Sequence, residues 1–152
     1  IAVAASAGRS RLRVAVQPSI IVVSTGNELI DPGEPILPHQ VRRSNTYGLV
    51  SQLRLRGFSR VTDDHVADDM AVLQRALRPH LDTHDVLVLS GGVSAGRFDL
   101  VPQALIELGV QQHFHKIAQH PGKPLWFGTT PAGVAVFGLP GNPVSSLVCL
   151  AR

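Results

Sequence analysis

Residues 86–99 read VLVLSGGVSAGRFD, and this stretch decides the fold. It opens with four consecutive apolar residues, and such a run without alternation is typical of a strand covered on both faces, as in a parallel sheet between helices. Ser90, Gly91 and Gly92 end the strand, because adjacent glycines reach positive φ angles and let the backbone approach a ligand closely. A helical pattern follows at residues 100–108, so backbone N–H groups can face an anion here. A plain tight turn is the alternative, since the glycine spacing fits neither nucleotide-binding fingerprint.

Other segments predict further strands of the same sheet. Residues 19–25, SIIVVST, repeat the pattern of a buried strand, and residues 58–66 are a weaker candidate. Residues 110–118 alternate between apolar and polar side chains, which is typical of a half-exposed strand. Residues 125–129 and 134–139 predict a β-hairpin across the short turn between them.

Predicted helices separate these strands. Ser44 is expected to cap a helix that ends at Gly57. An aspartate at residues 68–69 caps the next helix, which Pro79 and residues 82–84 are expected to close, and a last helix begins near residues 144–146. Because strands alternate with helices, the chain is predicted to form a three-layer α/β sandwich with a mainly parallel sheet and a late β-hairpin.

The composition is that of a globular protein and excludes several functions. The chain has 152 residues, of which 44% are hydrophobic and 16% are charged, with a formal net charge of +3. No dense basic run with interleaved aromatic residues is present, so nucleic-acid binding is not expected. No apolar run approaches the roughly 20 residues that cross a bilayer, so no membrane span is expected. The single cysteine, Cys149, cannot form an internal disulfide, which fits a reducing cytoplasm.

The two ends of the sequence predict a piece of a longer protein. The sequence begins with Ile1 rather than Met, and it stops at Arg152 inside a predicted helix. Residues 1–17 are interpreted as a connector that arrives from a preceding domain. Residues 18–152 are interpreted as the α/β domain, a fragment of a longer multidomain chain.

Two acids stand close to predicted strand ends or helix starts. Glu28 follows the strand at residues 19–25, and Asp99 precedes the helix at residues 100–108. The alternatives are a solvated loop acid for Glu28 and a plain N-cap for Asp99, which would contribute about 1 kcal/mol. Since open α/β sheets bind ligands at the carboxyl ends of their strands, the two acids can meet at one crevice. An Mg²⁺ ion would then bridge carboxylate and phosphate oxygens.

Two proline-rich motifs are candidate oxyanion sites. Lys123 lies in the motif PGKP, where two prolines fix the backbone and an oxyanion suits the point charge. Ser145 ends the motif PGNPVS at the start of a predicted helix, so it either helps to cap that helix or contributes to an oxyanion site there. His113 and His115 are expected to point to the same face of a strand, as a surface pair rather than as metal ligands.

Four motifs stand in an order that resembles one protein family. They are TGNEL at residues 25–29, SGGVSAGRFD at 90–99, HPGKP at 120–124 and GLPGNPVS at 138–145. Together they resemble the molybdopterin molybdotransferases, known as MoeA and as the E domain of gephyrin. The resemblance implies the fold of the molybdenum cofactor biosynthesis proteins. It also implies an enzyme that inserts molybdate into adenylylated molybdopterin and releases AMP with the help of Mg²⁺.

The resemblance implies roles for single residues. Asp99 and Glu28 would be catalytic acids that hold the metal near the pterin phosphate, and Lys123 would be the third catalytic residue. Molybdopterin and its phosphate would be bound by Thr25, Gly26, Ser90, Gly91, Gly92, Ser94 and Gly96. Molybdate would be bound by His120, Lys123, Pro124 and Ser145. Many family members carry a lysine where this chain has His120, and a neutral imidazole there would weaken molybdate binding.

The resemblance further implies a cytoplasmic protein that is a homodimer at full length, with a molybdopterin adenylyltransferase as a candidate partner. Two alternatives for the function stay open. One is an adenylyltransferase of the same fold that uses ATP and molybdopterin, against which the PGKP motif speaks. The other is a non-catalytic module that binds molybdopterin or acts as a scaffold, and His120 is the feature that favours it.

Overall fold

The computed structural model describes residues 1–93 and 100–152. In these ranges the helices are α1 (Ala2–Ser6), α2 (Ser44–Leu55), α3 (Met70–Thr83), α4 (Leu100–Glu107) and α5 (Pro143–Ala151). The strands are β1 (Ile20–Thr25), β2 (Leu29–Ile30), β3 (Val41–Arg42), β4 (Val61–Val66), β5 (Val86–Ser90), β6 (Gln111–His115), β7 (Trp126–Thr129) and β8 (Ala135–Leu139).

Six of these strands form one sheet in the order β4-β1-β5-β8-β7-β6. The pairs β4–β1, β1–β5 and β5–β8 are parallel, whereas β8–β7 and β7–β6 are antiparallel. This arrangement confirms the predicted mainly parallel sheet with a late hairpin. Strands β2 and β3 pair with each other in a separate small parallel sheet.

Helices cover both faces of the parallel strands, because the first four residues of β1 and of β5 are apolar and each face must be buried. On one face Val23 and Leu89 pack with side chains of α3 and α4. On the other face Val22 and Val88 pack with side chains of α2 and α5. The side chains of Val22 and Val23 are both 0% exposed, so the unbroken apolar run is explained by burial on two sides.

The helix boundaries follow the local signals with one correction at α2. Asp69 caps α3 by accepting a hydrogen bond from the Val72 N–H, as the sequence predicts. The prediction that Ser44 caps α2 is wrong, because Arg43 occupies the N-cap and Ser44 is the first helical residue. Gly57 lies just beyond the end of α2 with φ of 92°, as predicted for the residue that terminates a helix.

Helix α3 ends at Thr83, within the predicted closing residues 82–84, but it continues through Pro79, which was also predicted to close it. A proline inside a helix removes one backbone donor and normally ends or kinks the helix. Here the side chains of Leu77 and Leu81, before and after the proline, are both buried against the sheet. The Thr83 hydroxyl also donates a hydrogen bond to the Pro79 carbonyl. Tertiary burial therefore extends the helix past its local stop signal.

A bulge in β6 separates the two histidines that the alternation pattern places on one face. The register of β6 against β7 shifts between Gln112 and Phe114. The His113 ring packs 5.4 Å from the Phe127 ring, whereas His115 donates from Nε2 to the Val93 carbonyl at 3.1 Å. Because one extra residue in a strand reverses the side-chain alternation, His113 and His115 lie on opposite faces and the prediction is wrong.

Residues 1–17 contain α1 and otherwise no helix or strand. All of them except the half-buried Ala4 are exposed. Gln17 joins this segment to the domain, since its side chain donates to the Gly57 carbonyl and accepts from the Ser59 N–H. The connector role of the segment stays a prediction. None of the helices in the described ranges has the length and hydropathy that crossing a bilayer requires.

Candidate functional site

A cavity of about 440 Å³, called here the main cavity, lies at the carboxyl ends of the parallel strands. The ends of β1 and β5, the start of α2 and the segment that carries β2 and β3 form its walls. Its lining residues are Ser24, Thr25, Glu28, Leu29, Val41, Arg42, Arg43, Ser44, Asn45, Ser90, Gly91, Gly141 and Pro143. This is the edge at which open α/β sheets bind their ligands.

The glycine turn after β5 is forced by its contacts with β1. Gly91 has φ of 99°, and a Cβ atom there would lie 2.8 Å from the Thr25 carbonyl oxygen. Gly92 has φ of 64°, and its Cβ would lie 2.7 Å from a methyl carbon of Val101 and 3.0 Å from Thr25 Oγ1. Both positions therefore require glycine for two reasons, positive φ and a close neighbour. The turn brings the bare backbone of Gly91 to the cavity wall.

Thr25 contributes a buried hydroxyl at the end of β1. Its residue is 3% exposed, and among the described residues its Oγ1 has no hydrogen-bond partner. A buried hydroxyl without a partner costs about 1–3 kcal/mol. The residue Thr25 lines the main cavity, and its Oγ1 atom is buried behind the cavity wall.

Asn45 joins three elements at the cavity. Its side-chain amide donates one hydrogen bond to Ser90 Oγ at 3.0 Å and another to the Gly141 carbonyl at 2.8 Å. The start of α2 is thereby tied to the ends of β5 and β8. Sequence reasoning missed this residue. The available signal was an asparagine in the first turn of a helix, where its side chain favours local polar contacts over helix interior positions.

The N-terminus of α2 supplies positive potential to the main cavity. Ser44 and Asn45 form the first turn and line the wall, and a helix N-terminus carries about half a positive charge. Backbone N–H groups of a first helical turn have no partner within the helix, so they are free to bind an anion. The helix has 12 residues, enough for a developed dipole.

Two arginines hold the outer wall in place. Arg43 donates from Nε to Asp31 Oδ1 at 2.7 Å and lies 3.6 Å from Asp63 Oδ2. Burial opposes its charge, but contacts with Tyr47 and Asp31 and the charge of Asp63 outweigh that effect and raise the pKa of Arg43. Arg42 donates to the backbone carbonyl of Asp31. Arg43 therefore fastens the segment of β2 and β3 to β4, whereas Arg42 braces the loop within that segment.

Glu28 lies on the rim between the main cavity and a neighbouring concavity. Its carboxylate folds back over Gly26, since a Cβ on Gly26 would lie 2.7 Å from Glu28 Oε2. The neighbouring concavity has a volume of about 480 Å³ and is lined by Asn27, Glu28, His39, Asp68 and Leu100. Gly26 is absent from the lining of the main cavity and serves instead as the surface on which Glu28 rests.

Three predicted site residues, Ser94, Gly96 and Asp99, lie outside the described residues. Leu100, which follows Asp99 in the chain, lines the same concavity as Glu28. In the parts of the chain that the structure covers, no three histidine, cysteine or acidic side chains form a metal-binding group. The roles of these three residues stay predictions from the sequence.

The predicted molybdate residues do not line the main cavity. Lys123 and His120 line another concavity, of about 510 Å³, called here the lysine concavity. Its walls are Lys116, Ile117, Ala118, Gln119, His120 and Lys123. Pro124 is half-buried and lines neither of these two features.

Ser145 is engaged in the start of α5. Both its N–H and its hydroxyl donate to Asn142 Oδ1, at 3.1 and 3.3 Å. Asn142 is the N-cap of α5, so the capping alternative describes Ser145 in this structure. Gly141 and Pro143 of the same motif line the main cavity.

A family of known domains matches most of the chain. The sequence model described as "Probable molybdopterin binding domain" matches residues 21–152. The chain belongs to this family. The word "binding" in this description is consistent with the main cavity at the strand ends. The cavity is formed by a helix N-terminus, a glycine turn and the residue whose hydroxyl is unpaired in the described structure.

Curated relatives of this molybdopterin-binding domain are longer than the chain. A molybdopterin molybdenumtransferase of Synechocystis sp. is 45% identical over 148 residues, which cover 97% of this chain and 38% of the relative. A protein of the same name from Nostoc sp. is 34% identical over 154 residues, covering 100% of this chain and 35% of the relative. The chain thus spans little more than a third of the length of these relatives.

Solved structures agree on the fold of the molybdopterin-binding domain. A molybdopterin biosynthesis MoeA protein from Pyrococcus horikosii superposes with a TM-score of 0.80 at 32% identity, covering 99% of this chain and 37% of that one. The molybdopterin biosynthesis Mog protein from Mycobacterium ulcerans gives a TM-score of 0.66 at 17% identity, covering 90% of each chain. At that identity the second likeness shows the fold alone.

Proposed function

We propose that this domain binds adenylylated molybdopterin and serves an enzyme that inserts molybdate into it with release of AMP. The observation that carries the proposal is the main cavity, in which the unpaired hydroxyl of Thr25 stands beside the Gly91 turn. The relative from Synechocystis sp., named a molybdopterin molybdenumtransferase, supports the reaction class. The likeness to the Mog protein, at 17% identity, shows the fold alone and supports no reaction class.

The chemistry of the main cavity suits a phosphorylated pterin. The α2 N-terminus and the Gly91 backbone offer N–H groups to phosphate oxygens, and Thr25 offers a hydroxyl. Leu29, Val41 and Pro143 provide apolar walls, against which a flat ring can pack. We propose that the phosphate faces α2 and that the ring lies along these apolar side chains.

The acids of the site fit Mg²⁺ in the proposed enzyme. Glu28 places a carboxylate at the rim of the main cavity, and Mg²⁺ is commonly held by one or two carboxylates together with substrate phosphates. We propose Glu28 and Asp99 as these ligands. A bound Mg²⁺ would offset charge on the pyrophosphate and so favour loss of AMP. Glu28 would orient that group, because its side chain is supported by the backbone of Gly26.

Molybdate is proposed to bind at the lysine concavity, near Lys123 and His120. No residue lines both this concavity and the main cavity, so we propose separate regions for the oxyanion and the pterin phosphate. Pro124 would fix the backbone beside Lys123. Ser145 would contact molybdate only if its hydroxyl turned away from Asn142, its present acceptor.

The assembly of the whole protein is part of the proposal and rests on the family resemblance. We propose that the full-length protein is a cytoplasmic homodimer and receives its substrate from a molybdopterin adenylyltransferase. The chain covers only 38% of the Synechocystis relative, so residues beyond this domain are expected to contribute to turnover.

The experiment that tests the proposal is a calorimetric titration of adenylylated molybdopterin into the protein, with and without Mg²⁺. Binding that is tighter with Mg²⁺ is expected, because the cation removes repulsion between Glu28 and the phosphates. A dissociation constant in the micromolar range corresponds to about 8 kcal/mol. Absence of binding in both the chain and the full-length protein would contradict the proposal.

A further inference from the structure

We propose that Lys116 is a second binding residue for the oxyanion in the lysine concavity, acting together with Lys123. The inference rests on the proposed function, since it concerns the same oxyanion. Lys116 lies outside the four motifs that carry the family resemblance, and its role follows from its position in the fold. Its ammonium would supply the charge that a histidine at position 120 does not provide.

The distribution of lysine in the chain is the first observation. The sequence has 14 lysine and arginine residues, and only two of them, Lys116 and Lys123, are lysines. Both line the same concavity. A lysine ammonium is a compact point charge with three rotatable donors, whereas arginine presents a planar fork. A tetrahedral oxyanion matches the two point charges, and the chain uses arginine for its other basic positions.

The two lysines lie on two hydrogen-bonded segments of one loop, residues 116–117 and residues 123–125. The Lys116 N–H donates to the Leu125 carbonyl at 2.9 Å, and the Ile117 N–H donates to the Lys123 carbonyl at 2.9 Å. These bonds continue the pairing of β6 with β7 beyond the ends of both strands. The two segments that carry Lys116 and Lys123 are therefore joined to each other by main-chain hydrogen bonds.

Lys116 adopts a backbone conformation that side chains other than glycine rarely take. Its φ is 71°, and within the described ranges no other residue apart from glycine has a positive φ. Such a conformation persists when the surroundings determine it, and it is common at binding sites. A glycine would take this φ without strain, so the presence of a lysine indicates a use for its side chain.

The turn between the lysines is fixed by packing. Gly122 has φ of 111°, and a Cβ there would lie 2.5 Å from Gln119 Nε2 and 2.6 Å from Cys149 Sγ. Gln119 also donates from Nε2 to the Pro121 carbonyl at 2.8 Å. The loop is therefore preorganised, so little conformational freedom is lost when an anion binds.

The charges of the lysine concavity are not neutralised by the protein. No acidic side chain lines it. Within the part of the chain that the structure describes, neither lysine ammonium forms a hydrogen bond or an ion pair. The imidazole of a histidine carries less positive charge at neutral pH than an ammonium group. Lys116 and Lys123 thus bring two ammonium groups to the concavity although position 120 holds a histidine.

Protection from amine acetylation tests the inference, with molybdate as the probe. The sequence has two lysine amines, at Lys116 and Lys123, and mass spectrometry of peptides resolves them. We expect molybdate to protect both lysines with the same concentration dependence. Sodium chloride at equal ionic strength is the control, and equal protection by it would overturn the inference.

The other outcomes separate this inference from the proposed function. Protection of Lys123 alone overturns the role of Lys116 and leaves the proposed function intact. Protection of neither lysine overturns the inference together with the proposed molybdate site, whereas the titration of adenylylated molybdopterin still tests the pterin site.

Variants provide a second measurement. Lys116→Gln should raise the molybdate concentration that half-protects Lys123 by about tenfold, because a charge-assisted contact is lost. Lys116→Arg should restore most of the affinity. Arg75→Gln, which removes an exposed charge on α3, is the matched control and should change nothing. Equal behaviour of Lys116→Gln and Arg75→Gln would overturn the inference, provided that circular dichroism shows both to be folded.

Discussion

The Asn45 amide lies 3.0 Å from Ser90 Oγ, although 45 residues separate the two in the chain. This hydrogen bond connects the first turn of α2 to the end of β5. The same amide also donates to the Gly141 carbonyl, so one side chain sets the spacing of three cavity walls.

Asn45→Ala should weaken both the fold and the site. Loss of two hydrogen bonds at about 1 kcal/mol each should lower the free energy of unfolding by about 2 kcal/mol. The affinity for adenylylated molybdopterin should also fall, because the walls lose their fixed spacing. Urea denaturation and calorimetric titration measure the two effects. Gln52→Ala, at an exposed position of the same helix, is the control, and an equal loss there would contradict the prediction.

Thr25→Val should lower the affinity for adenylylated molybdopterin without lowering the free energy of unfolding. The hydroxyl of Thr25 is buried and has no partner among the described residues, so a methyl group of similar size should leave the free energy of unfolding unchanged or raise it. Ligand affinity should fall by about tenfold, since a hydrogen bond of about 1.4 kcal/mol to the ligand is lost.

Thr46→Val is the matched control for that variant. Thr46 also has a buried, unpartnered hydroxyl in the described structure, but it does not line the main cavity. Its replacement should affect stability in the same direction and leave affinity unchanged. Equal affinity losses in the two variants would show that neither hydroxyl acts on the ligand directly.

Gly91→Ala should be strongly destabilising. The positive φ alone costs a residue with a side chain about 1–2 kcal/mol, and the contact at 2.8 Å with the Thr25 carbonyl adds overpacking, for a total of about 3 kcal/mol. Gly57→Ala tests the first contribution separately, because Gly57 has φ of 92° and no atom within 4 Å of its Cβ position. Thermal denaturation should rank the wild type above Gly57→Ala and Gly57→Ala above Gly91→Ala.

Asp85 should make stability depend on acid pH. The Ser19 N–H and hydroxyl both donate to Asp85 Oδ2 at 2.7 Å, and these bonds lower the pKa of Asp85. A group whose pKa is lowered on folding stabilises the protein above its unfolded-state pKa, and this contribution is lost as the pH falls through the folded-state value. Asp85→Asn should therefore lower the unfolding free energy at pH 7, and its difference from the wild type should shrink in strong acid.

Asp82→Asn is the control for this pH dependence. Asp82 is exposed and, among the described residues, its carboxylate accepts no hydrogen bond. Urea denaturation of both variants between neutral and strongly acid pH makes the comparison. A difference between Asp85→Asn and the wild type that stays constant with pH would contradict the prediction.

Local patterns in the sequence predicted the layers of the fold and a crevice at the carboxyl ends of the parallel strands, where the structure has the main cavity. The unbroken apolar runs in β1 and β5 indicated burial on both faces, and the structure places helices on both. The glycines at 91 and 92 marked a turn that no other residue can occupy. An aspartate at residues 68–69 was predicted as a cap because capping depends on atoms only three residues apart, and Asp69 is that cap.

Contacts between distant segments decided the rest. Pro79 is a local stop signal, yet the buried Leu81 carries α3 past it. The bulge in β6 reverses the alternation on which the placement of His113 and His115 rested. The separation of Lys123 from the main cavity likewise depends on where the β6–β7 pair joins the sheet.

The sequence by itself determined the elements, their burial and the motifs that resemble a family. Only the tertiary structure decided that Asn45 ties the cavity together, that Thr25 keeps an unpaired hydroxyl and that Lys116 faces the same concavity as Lys123. The physical reason is the distance along the chain over which each interaction acts. Propensity, capping and turn conformation depend on neighbours a few residues away, whereas a hydrogen bond between residues 45 and 90 exists only after the strands have taken their order in the sheet.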